Sequence, residues 1–213
     1  MTLRSNQVYN VAETYTKTGD LISHGVVFEN RYDSPISYIF TNLNEMLKLK
    51  ELDAVSVCTY NNAHAPCSIA ALKAGKHVLC EKPMSINATL ASDMIKAQKE
   101  SGKILQIGFV RRYGDDCKLL KEFNENGFFG DIYYAKVKKL RRHGSPGGWF
   151  IDKNKSGGGP LIDLGVHMID LAIYLMGNPT PVSVSGCTYN KFADNTADAD
   201  SEHARFGDAV EGG

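Results

Sequence analysis

Asp163, His167 and Asp170 stand at i, i+4 and i+7 in the apolar segment from Leu161 to Met176. On a helix of roughly 3.6 residues per turn this spacing holds the three within about 60° of one another. Leu161, Leu164, Met168, Leu171 and Ile173 cover the other directions, so one ionisable stripe runs along an otherwise apolar helix. Burying unpaired charge is costly, so such a stripe either faces solvent or does chemistry. A histidine that titrates near neutrality, with a carboxylate one turn away, can take a proton from a hydroxyl and return it. Gly157 to Gly159, just upstream, let a backbone or ligand approach closely at a helix N-terminus. Histidine and aspartate at i, i+4 can also share a metal ion. That reading needs further ligands, for which His64 and His143 are unplaced candidates.

Two shorter runs could also carry chemistry. Glu81-Lys82-Pro83 closes a short apolar run. A strand-end lysine can simply extend to water. In a partly dry crevice it can instead donate hydrogen bonds to a substrate hydroxyl and shift a neighbouring acid or base. Pro83 biases Lys82 towards extended backbone. Thr59-Tyr-Asn-Asn-Ala-His64 sits where a strand hands over to a helix, and Asn61 or Asn62 can serve there as a cap.

The elements that must position these residues are legible from periodicity. Asp53 to Thr59, His77 to Cys80 and Ile104 to Phe109 are short β-branched or apolar runs, as expected of strands buried on both faces. Helical patterns cover Leu43 to Leu52, Ala63 to Ala74 and Asn87 to Ser101, the last two stopped by Gly75 and Gly102. Strands alternating with helices predict a parallel sheet. Right-handed crossovers place the loops after Thr59, Cys80 and Phe109 along one carboxyl edge, where ligands bind in open α/β sheets. Beyond Tyr113 the pattern predicts a helix over 115–126, an alternating strand over 132–140 and a helix from Ser156 to Met176. A weak strand over 182–187 and a polar, acidic tail come after it. For residues 1–40 only a helix-to-strand passage into Ser37 to Phe40 is proposed.

Composition narrows the classes. The chain has 213 residues, with 24 basic and 24 acidic side chains. Balanced charge argues against nucleic-acid and acidic-lipid partners. No apolar run of membrane-spanning length and no leader peptide is expected. Five cysteines without a Cys-x-x-Cys pair read as reduced, buried thiols, and the chain as cytoplasmic.

Four runs occur in order: Ala54 to His64, Ala74 to Pro83, Gly108 to Tyr113 and Gly157 to Asp170. Together they resemble the Gfo/Idh/MocA family of NAD(P)-dependent sugar and polyol oxidoreductases over roughly Tyr38 to Lys191. The resemblance implies an α/β protein, with a Rossmann-type parallel sheet followed by an α/β domain with a mainly antiparallel sheet. The first domain would cover 1–113 and the second 114–213. It implies NAD or NADP as cofactor and a small sugar, inositol or related polyol as substrate. Intact members would associate as homo-oligomers through the C-terminal sheet. By the same resemblance Lys82, Asp163 and His167 are catalytic, and Thr59, Asn61, His64, Glu81 and Lys82 line the cofactor crevice. Arg112, Trp149 and Asp163 face the substrate. No metal is implied.

The sequence departs from this pattern at both ends. No Gly-x-Gly-x-x-Gly turn occurs anywhere, although that turn cradles the cofactor pyrophosphate. The acidic residue that reads the ribose hydroxyls is not recognisable, and the second domain looks unfinished. An internal or altered part of a dehydrogenase is therefore expected. A non-catalytic carbohydrate-binding relic that has lost dinucleotide binding is the alternative.

Overall fold

The computed structural model describes residues 8–15, 21–28, 39–40, 42–50, 52–140 and 148–189. His143 and the acidic tail lie outside them. Among the described residues are six strands: β1 (Val8–Tyr15), β2 (Leu21–Phe28), β3 (Ile39–Phe40), β4 (Ala54–Val57), β5 (His77–Glu81) and β6 (Leu105–Gly108). The helices are α1 (Leu43–Leu47), α2 (Asn61–Lys73), α3 (Ala88–Ser101), α4 (Asp115–Glu125), α5 (Lys153–Ser156) and α6 (Val166–Leu175). The chain packs as two compact units. The first runs through Gly108 and takes back Lys153–Gly157; the second comprises Phe109–Asp152 and Gly158 onward.

In the first unit one sheet has the order β3-β2-β1-β4-β5-β6. β1, β4, β5 and β6 are successive parallel neighbours, paired Val11 with Val57, Val57 with Cys80 and Glu81 with Gly108. This is a Rossmann-type parallel sheet, as the alternation of runs predicts. β2 departs from it, lying antiparallel to both β1 and β3. The local reasons for the helices are ordinary. Asn42 and Asn87 accept hydrogen bonds from Asn44 and Leu90 as N-caps of α1 and α3. Gly102 ends α3 in the left-handed conformation, at φ 64°. Met46, Leu52, Val55, Val57, Leu72, Val78, Cys80 and Met94 form the core. Side chains of this size each contribute about 1.5–3 kcal/mol on full burial, which is why the short strands β4 and β5 hold.

In the second unit α4 packs on α6. Lys121 Nζ and Asn124 Nδ2 donate to the carbonyls of Tyr174 and Leu175 at 3.2 and 2.9 Å, satisfying two of the orphan acceptors at the end of α6. Three sequence expectations fail here. Residues 132–140 and 182–187 carry no strand. Alternation specifies a strand only where another strand accepts its backbone hydrogen bonds, and no paired strand is described in this unit. The helix expected from Ser156 to Met176 is interrupted: α5 ends, Gly157 turns the chain at φ 75°, and a π turn over Leu161–Gly165 precedes α6. Pro160, with no N–H to donate, cannot continue the hydrogen-bond ladder.

The stretch Lys153–Leu175 is also, by length and composition, apolar enough to cross a membrane, with mean hydropathy 1.2; the sequence reading expects no such stretch.

Candidate active site

The first group of predicted residues lies at the carboxyl edge of the parallel sheet. Thr59 comes just after β4 and is buried, its hydroxyl donating to the carbonyl of Tyr60 at 3.3 Å. Glu81 ends β5, and its carboxylate accepts the backbone N–H of Lys82 at 3.2 Å. Gly108, opposite Glu81 on β6, makes room for that carboxylate: a Cβ at residue 108 would stand 3.3 Å from Glu81 Oε1. Glu81 and Lys82 are half-buried, and Lys82 precedes a cis peptide bond to Pro83.

Asn61 and His64 are held by hydrogen bonds within the first unit. His64 is 1% exposed, with Nδ1 2.6 Å from the carbonyl oxygen of Pro83 and Nε2 3.1 Å from that of Thr59. Both partners only accept, so satisfying both would require the imidazolium. Burial pushes the other way, and it is the larger effect, lowering the pKa below the ordinary 6.5. The neutral ring then donates to one carbonyl, and the shorter approach favours Pro83. His64 thus braces the loops after β4 and β5 against each other. The carboxamide of Asn61, also buried, donates from Nδ2 to the carbonyl of Ser156 at 2.8 Å. Asn62 Nδ2 reaches the carbonyl of Asn154 at 2.8 Å, and Lys155 Nζ lies 4.8 Å from the centre of the Tyr60 ring. These ties dock α5 on the start of α2. A pairing across more than 90 residues leaves no signal in local periodicity, so sequence reasoning missed α5 as part of this edge.

The second group lies on the π turn and α6. Asp163 falls in the π turn and His167 in the first turn of α6, both half-buried. The wider π turn shifts Asp163 out of the uniform stripe that a continuous α-helix predicts. At Gly165 an added Cβ would meet Leu161 Cδ1 at 2.7 Å, so the exposed leucine side chain would have to turn aside. Nδ1 of His167 is shielded from solvent.

Asp170 and Arg112 form a bidentate ion pair: Nε to Oδ2 at 2.8 Å, and Nη2 to Oδ1. The Asp170 side chain is 9% exposed, and the pairing holds the Arg112 guanidinium above its ordinary pKa. The guanidinium also lies 4.8 Å from the Tyr174 ring centre. Arg112, predicted to face substrate, ties the 3-10 turn Val110–Tyr113 to α6. Trp149, half-buried, stacks on Phe150 with ring centres 3.9 Å apart.

A cavity of about 380 Å³ lies beside α6, lined by Val137, Met168, Ile169, Ala172 and Ile173, with Gly165 and Lys139. It includes none of the predicted catalytic side chains, and among the described residues Lys139 is its only polar lining side chain, a poor match for a polyol that needs several hydrogen bonds. Among the described residues no group of three or more His, Cys, Asp or Glu is placed to hold a metal ion. None of the five cysteines forms a disulfide, and burial pushes the Cys80 thiol up to about 12.

Comparisons with known proteins match both parts of the chain. The description "Oxidoreductase family, NAD-binding Rossmann fold" matches residues 11–109, and "GFO/IDH/MocA C-terminal domain" matches 117–210. The chain belongs to the Gfo/Idh/MocA family. The match reaches back to residue 11 and forward to 210, beyond the Tyr38 to Lys191 that the motifs alone support. D-glucoside 3-dehydrogenase of Escherichia coli K12 is 42% identical over 147 residues, covering 68% of this chain and 42% of that protein. Myo-inositol 2-dehydrogenase of Thermotoga maritima is 34% identical over 165 residues, covering 78% and 46%. A solved levoglucosan dehydrogenase, in complex with NADH and levoglucosan, superposes with TM-score 0.56 at 29% identity over 64% of this chain and 38% of its own. This chain of the Gfo/Idh/MocA oxidoreductases thus spans less than half the length of these relatives.

Proposed function

We propose that the protein is an oxidoreductase transferring a hydride between NAD(P) and a sugar, inositol or related polyol, with His167 as the acid/base. The observation that carries the reading is the pairing of two features on one chain: Glu81-Lys82 closing a parallel strand, and Asp163 and His167 presented by a glycine-led π turn. The donor set after β4 and β5 suits the nicotinamide riboside part of the cofactor: a hydroxyl from Thr59, a carboxylate from Glu81 and an ammonium from Lys82 can meet ribose hydroxyls and a carboxamide. When bound, the nicotinamide supplies the hydride acceptor.

The protein's own part is proton handling. Nδ1 of His167 is shielded from solvent, so Nε2 is the atom that takes the hydroxyl proton. Lys82 stabilises negative charge as it develops on the substrate oxygen. Asp163 orients the hydroxyl or the imidazole. In this reading Arg112 acts as a positioning residue through Asp170, and the reaction is cytosolic.

The test is turnover of polyols by the purified chain, alongside His167→Ala. A loss of about a hundredfold or more in kcat, with cofactor affinity changed less than about threefold, is expected of a general base. Equal losses in both would remove His167 from that role.

A further inference from the structure

We propose that this chain grips only the nicotinamide riboside half of its cofactor, and that the adenosine diphosphate half adds no affinity and is not read. This rests on the hydride-transfer reading above and deepens it.

A dinucleotide grip has two parts. The pyrophosphate sits where the first strand of the sheet passes through a glycine-rich turn into a helix, whose N-terminal N–H groups point at the anion. The ribose hydroxyls are read by a residue at the carboxyl end of the second strand, which in an all-parallel sheet lies at the same edge. The order β3-β2-β1-β4-β5-β6 puts β1 in the first-strand position, between β2 and β4. β1 runs parallel to β4, so its carboxyl end at Tyr15 lies on the edge that also carries Thr59 and Lys82.

Only five residues separate β1 from the next strand. Residues 16–20 join β1 directly to β2, which returns antiparallel with Thr14 opposite Ser23 and Tyr15 opposite Leu21. Pairing with β2 aims the backbone of β1 sideways into the sheet rather than outward past its end. The connection, Thr16-Lys-Thr-Gly-Asp20, holds one glycine, and its single lysine is offset by Asp20. The reversal of β2 removes the second part as well, because its carboxyl end at Phe28 lies at the opposite edge of the sheet.

The test is binding to the full chain, shown to be folded by a cooperative melt. NADH, NADPH and reduced nicotinamide mononucleotide are followed by nicotinamide fluorescence, and ADP-ribose by calorimetry. Two charge-assisted hydrogen bonds to pyrophosphate would by themselves give NADH about a hundredfold advantage over the mononucleotide. The proposal expects the three reduced nicotinamide compounds to bind within about tenfold of one another and ADP-ribose to release no heat. A preference beyond about tenfold for NADH over the mononucleotide, a split beyond that between NADH and NADPH, or saturable ADP-ribose binding would each overturn it. If no nicotinamide compound binds and ADP-ribose is also silent, the proposal and the hydride-transfer reading fall together.

Discussion

The two units of this chain treat the same kind of segment in opposite ways. In the first, Val55, Val57, Val78 and Cys80 sit on short strands that pair with one another, and all four are essentially buried. In the second, Tyr133, Val182 and Val184 sit in stretches of comparable β-former content, yet they are 94%, 96% and 99% exposed. The difference is one of partners. β4, β5 and β6 find neighbours that lie one helix away in sequence, so pairing and burial are secured locally. Segments 132–140 and 182–187 have no paired strand among the described residues, and an apolar side chain stabilises nothing until something covers it.

Substitutions in each unit test this contrast. The largest effect is expected from Leu72→Ala, which truncates a side chain with no exposure in the core under α2. A loss of about 2–5 kcal/mol by denaturant unfolding is expected from cavity formation. Leu161→Ala, at a side chain 63% exposed in the second unit, is expected to cost under about 1 kcal/mol. Similar losses at the two positions would erase the distinction.

Next is Arg112→Ala, which leaves the nearly buried carboxylate of Asp170 without its partner. About 1–3 kcal/mol is expected, read as a lowered melting temperature, with partial rescue by Arg112→Lys because lysine restores the charge but not the fork. If the alanine variant melts like the wild type, the pair does not hold α6 in place.

The smallest effect concerns His64. Its folded pKa is lowered, chiefly by burial, so the unfolded chain takes up the proton first as pH falls. The stabilising difference is fully present above the ordinary 6.5 and is lost as pH drops below it. The melting temperature should therefore fall between about pH 7 and 5, and His64→Gln should flatten part of that slope. An unchanged slope would mean that the brace is not what titrates.

Much of the first unit was legible because its signals are local. Asn87 caps α3, Gly102 ends it, β4 and β6 fall within their predicted segments, and β5 runs one residue past its own, to Glu81. The site was legible as residue types in order: Glu81-Lys82, then Asp163 and His167. Their surroundings were not. Arg112 is engaged by Asp170, 58 residues away, and Asn61 by Ser156, 95 residues away. No periodicity encodes a partner at that distance. The same holds for β2, whose direction against β1 is a matter of pairing rather than composition.

Residues close together in the chain suffice to set the alternation of short strands and helices, the chemistry at the ends of β4 and β5, and the absence of a glycine-rich phosphate turn. Tertiary contacts are needed to make His64 a brace, to hold Asp170 with Arg112, to displace Asp163 from the helical stripe by a π turn, and to run β2 backwards. These depend on which distant groups come to share a buried space, where an unmet polar group costs more than the choice of local conformation.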